Sequence, residues 1–131
     1  MAKFRFQLDA VLRQRLAVER QKQLAVAELE RERVEVEDQI RSLQSSLTTE
    51  KQTMREALAP KADPILLRDV RAQANASLHL VARAQQTVLK LAGVHARLER
   101  ARRDLLEAVT QRRAVETLKQ RRYEAWLLEQ R

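Results

Sequence analysis

The sequence predicts an all-α protein: two long helices folded back on each other as an antiparallel coiled-coil hairpin, with room for a short helix or kink near the connection. Three observations carry this. Only one of the 131 residues is glycine and two are proline, while 34% are charged. Most of the rest are Ala, Leu, Val, Arg, Glu and Gln, a composition typical of coiled coils and long helices. The one strong breaker is Ala59-Pro60-Lys61-Ala62-Asp63-Pro64, near the middle of the chain. Residues 1–131 are therefore read as a single hairpin domain: a helix over about 8–58, a connection over 59–64 and a helix over about 65–131.

Residues 3–8 alternate (Lys3, Phe4, Arg5, Phe6, Gln7, Leu8). They read equally as a short extended arm or as the frayed start of a helix. From Leu8 the period is helical. With Ile40 at heptad position a, the a row is Leu12, Glu19, Val26, Arg33, Ile40, Leu47 and Met54. The d row is Leu8, Arg15, Lys22, Leu29, Val36, Leu43, Glu50 and Ala57. Such a row of apolar knobs is what a two-helix seam requires. It is clean from Val26 to Leu47, apart from Arg33. Charge at Arg15, Glu19 and Lys22 predicts a looser stretch, in which long stems cover the seam while their heads reach water.

Pro60 disfavours helix at the residue before it. Asp63 followed by Pro64 is a helix start, with Asp as N-cap and Pro in the first turn. The second helix takes Val81 as an a residue. Its a row is Leu67, Ala74, Val81, Val88, His95, Arg102, Val109, Glu116 and Tyr123. Its d row is Val70, Ser77, Ala84, Leu91, Leu98, Leu105, Arg112, Lys119 and Trp126. Asn75-Ala76-Ser77 is its weakest stretch and a candidate kink or break. At about 1.5 Å per residue the helices would span roughly 75 and 100 Å.

A short connection favours antiparallel neighbours. Facing residue numbers then add to a constant. The value 131 pairs Ile40 with Leu91, Leu43 with Val88, Leu47 with Ala84 and Val26 with Leu105. It also brings Leu8 to Tyr123, and Phe4 and Phe6 near Trp126, so the four aromatics gather at one end. The alternative constant, 124, would place Ile40 opposite Ala84. Leu66, Leu67, Leu78 and Leu80 exceed what one seam can bury, so some must face a capping helix, a partner or water.

Several function classes lack their residues. There is no cysteine, hence no disulfide or thiol chemistry. One glycine cannot build a nucleotide-binding loop. His79 and His95 have no metal-ligand spacing, and His95 at a seam position reads as a partly buried polar residue. The serines have no nearby histidine. The carboxylates of residues 28–38 alternate with Arg31 and Arg33 as a solvated, i,i+4-paired face. A two-helix hairpin also offers no water-excluding pocket. A non-enzyme without metal or cofactor is expected. The start has no secretory apolar core and no run reaches the length of a membrane span, so the cytoplasm is the expected compartment.

Net charge is +8 and uneven: residues 1–58 carry 11 Lys and Arg against 10 Asp and Glu, and residues 65–131 carry 14 against 7. An acidic partner should prefer the second half. The Arg-rich stretch from Arg100 to Arg122 reads as an acidic-protein contact, a solvated face or a nucleic-acid surface. Interleaved acids and the absence of stacking aromatics in the run argue against nucleic acid. The aromatics Phe4, Phe6, Tyr123 and Trp126 read as a plug holding the hairpin's end or as a tip inserted into a partner.

The start, Phe4-x-Phe6-x-Leu8-Asp9-x-Val11-Leu12-Arg13, resembles the opening of FliJ proteins of the bacterial flagellum. The end, Arg112-Arg113-x-x-Glu116-Thr117-Leu118-Lys119-x-Arg121-Arg122, resembles their basic C-terminal stretch. Size, the mid-chain breaker and basic charge agree along the whole chain. The resemblance implies a hairpin similar to the gamma stalk of rotary ATPases, working in flagellar type III export at the cytoplasmic face of the inner membrane. It implies three partners: a hexameric export ATPase similar to FliI, an export-gate protein similar to FlhA, and export chaperones. It puts Arg13, Arg113, Leu118, Arg121 and Arg122 at the ATPase, and the reading of the aromatics as an inserted tip adds Trp126 to them. It puts Gln39, Leu43 and Leu80 at the gate, although Ser46 and Glu50 stand where an aromatic would strengthen that patch. An injectisome stalk, a generic coiled-coil adaptor or chaperone, and a basic nucleic-acid-binding hairpin are the alternatives.

Overall fold

A computed structural model describes residues 3–59 and 67–131. The chain is all-α: helix α1 covers Asp9–Leu58 and helix α2 covers Leu67–Glu129. The two pack antiparallel as a helical hairpin, and no strand occurs among the described residues. The bounds fall within two residues of those expected, except that Asp63, Pro64 and the helix start near Ile65 lie outside the described residues. Residues 3–6 form an arm without regular secondary structure and residues 7–8 a turn. The arm is tied on where Asp9 N donates to Phe6 O at 3.1 Å. Asp9 and Asp69 stand in first turns and Arg55 in the last turn of α1, each where the helix dipole favours its charge.

Asn75-Ala76-Ser77 does not break α2, which continues through it. Small residues are enough to hold it: Ala74 and Ser77 are partly buried in the seam, and tertiary packing overrides weak propensity.

On α1 every expected a and d position is buried or partly buried. On α2 the expected d row is inward as well, but of the a row only Ala74 and Val109 are partly buried and the rest is exposed. Val81 and Val88 are 40% and 53% exposed, and His95 and Arg102 are exposed too. The second inward row is instead Leu80, Thr87, Val94, Ala101, Ala108 and Val115. The reason is chemical. The expected row carries His95, Arg102 and Glu116, whereas the row one residue earlier carries no charge from Leu80 to Val115. Thr87 is tolerated because its hydroxyl donates back to Arg83 O at 2.7 Å. His95 is therefore not a seam residue, and Leu43 does not face Val88.

The chain packs as two compact units, residues 1–30 with 96–131, and residues 31–95; both helices run through both units. In the first unit Phe6, Leu12, Leu98 and Ala108 are buried, together with the carboxylate of Glu19. In the second, Val36, Leu43 and Val94 form the core, with Val94 fully excluded from water. No helix is long and apolar enough to cross a membrane among the described residues.

Candidate partner-binding surfaces

The unit of residues 1–30 and 96–131 is built around a polar layer. Arg112 Nε and Nη2 donate to the two carboxylate oxygens of Glu19 at 2.7 and 3.2 Å. Arg112 Nη1 donates to Glu116 at 2.8 Å. Arg15 Nη1 donates to Gln111 Oε1 at 2.7 Å, while its Nε is buried without a partner. The side chains of Glu19 and Arg112 keep only 11% and 19% of their surface. The hydrogen bond from Arg112 holds the Glu19 carboxyl below its ordinary pKa, and Glu19 and Glu116 hold the Arg112 guanidinium above its own. The looseness expected from charge at this stretch is replaced by bidentate pairing, the strong form of an Arg–carboxylate contact. Glu19 and Arg112 stand opposite each other on the 131 register, which this unit therefore follows. Both were visible as charged seam positions, and pairing them by that same constant would have revealed the layer.

Beyond this layer the arm closes over α2. Phe4 meets Tyr123 edge-on with ring centres 5.3 Å apart, and Trp126 at 5.8 Å. Tyr123 and Trp126 stack at 6.0 Å. Such offset and edge arrangements are those aromatic quadrupoles favour. Phe4 thus covers Tyr123. Phe6 is buried apart from the other rings, with the Arg122 guanidinium 5.8 Å from its ring centre. Lys119 bonds Asp9 at 3.1 Å, and Arg102 pairs with Glu30.

The candidate ATPase-contacting residues divide clearly. Arg13, Arg113, Arg121 and Arg122 are exposed, while Leu118 and Trp126 are partly buried. The arm and α2 also bound a groove of about 710 Å³, lined by Phe4, Leu12, Thr117 and Tyr123 among others. Its charged members are engaged, Glu116 by Arg112 and Lys119 by Asp9.

The three residues expected at an export gate come together in the unit of residues 31–95. Gln39, Leu43 and Leu80 line one shallow groove of about 210 Å³ with Ser42, Ser46, Arg83 and Thr87. Gln39 is exposed and Leu80 partly buried. Leu43 is only 7% exposed, so it serves the seam and gives a partner no more than the groove floor. Among the described residues no cluster of His, Cys, Asp or Glu is arranged to hold a metal ion.

Comparison with known proteins finds no family model, curated protein or solved structure that matches this chain.

Proposed function

We propose that this protein is a non-enzymatic stalk of a flagellar type III export apparatus. Its terminal unit engages a hexameric export ATPase at the cytoplasmic face of the inner membrane, and the Gln39–Leu43–Leu80 groove faces an export-gate protein. Export chaperones are its further partners. The observation that carries this reading is that exposed Arg121 and Arg122 stand next to the Phe4–Tyr123–Trp126 cluster, with exposed Arg113 in the same unit. Arginine and aromatic side chains are the usual anchors of protein interfaces. Part of that cluster remains in water, since Tyr123 is 38% exposed, and two helices could be held together without any of it.

The mechanism asks no chemistry of the stalk. An asymmetric helical pair inside a ring touches each ATPase subunit differently. It favours one conformation of each by differential affinity, and so biases ring assembly or the order of ATP turnover. The test is retention of the chain on the hexameric export ATPase, with the ATPase rate read alongside. Wild type binds and raises the rate. Arg121→Glu with Arg122→Glu weakens binding by ~10-fold or more, the equivalent of about 1.4 kcal/mol. Unchanged retention removes the basic stretch from the interface, and an unchanged rate with a folded wild type defeats the stalk reading.

A further inference from the structure

Helix α2 has a second face that α1 does not cover. Leu78, Val81, Val88 and Leu89 are 67%, 40%, 53% and 74% exposed. Their spacing puts them on one side of the helix, well round from the seam row of Leu80, Thr87 and Val94. Between Arg71 and Arg97 the only charged residues are Arg83 and Lys90. At 3.6 residues per turn both project from the opposite side of the helix from Val81. The rest of the face is Ala, Gly, Gln, Asn and His. In a chain with 34% charged residues, the stretch from Ala72 to Gly93 thus presents a side about 33 Å long without one formal charge. Depletion of charge, rather than bulk hydrophobicity, marks the core of a protein interface.

We propose that this face binds a second copy of the chain in an antiparallel, two-fold pair. Charge argues for that occupant. A charged partner surface would lose water here and find nothing to pair with, which is costly, whereas the same face brought against itself buries no charge. Shape argues for it too. A two-fold interface must complement itself, and this one does about a midpoint between Ala82 and Ala84. Leu78 then meets Val88, Ala74 meets Ala92, and Val81 lies over the stem of Gln85. Half the girth of a helix ~10 Å wide over this length is roughly 500 Å² per copy, about 1,000 Å² for the pair. That is the lower end of specific interfaces and fits a micromolar dimer. The inference does not rest on the ATPase contacts of the stalk reading, which all belong to the other unit; the groove proposed to face an export gate lies in the same unit, on the seam side of α2 with Leu80 and Thr87.

Sedimentation equilibrium of the full chain from about 5 to 500 µM tests it, spanning the range where a micromolar Kd is read. A monomer–dimer equilibrium is expected. Leu78→Glu with Leu89→Glu weakens it by ~100-fold or more, because each added charge must be desolvated, and circular dichroism still reports a helical chain. Leu106→Glu, at a residue 66% exposed but outside this face, dimerises like wild type. A wild type that stays monomeric through the range overturns the proposal. So does a folded Leu78→Glu, Leu89→Glu chain that dimerises as tightly as wild type.

Discussion

Glu19 is a carboxylate set into a coiled-coil seam, and Arg112 is what makes that position tolerable. A buried charge without a partner is strongly unfavourable, while a paired one serves chiefly to select a register. Slipping α2 by one heptad, to the 124 register, would set Arg112 opposite Leu12 and Glu19 opposite Leu105, leaving both charges unmatched. The pair also ties stability to pH. The Glu19 pKa is depressed in the folded chain, with the Arg112 hydrogen bond as the largest cause. Its contribution is therefore complete above the unfolded carboxylate value, about 4.3, and is lost as pH falls through the lower, folded value. Glu19→Gln should accordingly lower the melting temperature at pH 7. The gap to wild type should narrow near pH 3. Thermal melts of both proteins at the two pH values decide it, and a gap of equal size at both would mean the charge is not what stabilises.

Helix α2 shows what periodicity reveals and what it hides. The existence of both helices, the seam of α1 and the inward d row of α2 all follow from the spacing of Leu, Val and Ala. The companion row of α2 did not follow, because Val81 and Val88 look like better knobs than Thr87 and Ala101. Choosing rows by the apolar residues they contain favoured one, and choosing by the charges they must bury favours the other. Of the candidate sites, the terminal cluster was legible as an aromatic and basic gathering. That Phe6 sits beneath Arg122 was not, since the path of an arm outside the heptads has no period to read. Leu43 was ambiguous for a physical reason: one side chain cannot both fill the seam and offer itself to a partner. The corrected seam makes a direct prediction. Leu98→Ala removes a side chain 1% exposed and should cost about 2–5 kcal/mol. Val88→Ala, at a residue 53% exposed, should stay within about 0.5 kcal/mol in dilute, monomeric protein. Urea unfolding measures both. Equal losses would return Val88 to the seam.

Across the whole molecule the charge is sorted rather than scattered. The excess of basic residues lies in the second half of the chain. Part of it is already spent inside the fold on Glu19, Glu30, Glu116 and Asp9. What remains exposed includes Arg13, Arg113, Arg121 and Arg122, all in the unit that holds both ends of the chain. The other unit carries the uncharged side of α2. One protein thus presents two surfaces whose attraction has different physical origins, and salt separates them. Screening shortens the reach of charge from about 10 Å at 0.1 M to about 3 Å at 1 M. An interface made by exposed arginines on an acidic partner must weaken over that range. An interface made by an uncharged face must strengthen, because two copies of net charge +8 repel each other less. Raising NaCl from about 0.1 to 0.5 M should therefore release the chain from the proposed ATPase partner while tightening the proposed dimer. Retention assays and sedimentation at the same two concentrations measure the pair of responses. If both weaken together, the dimer is held by charge and the uncharged face is not its interface. If both strengthen, the arginines are not what the ATPase grips.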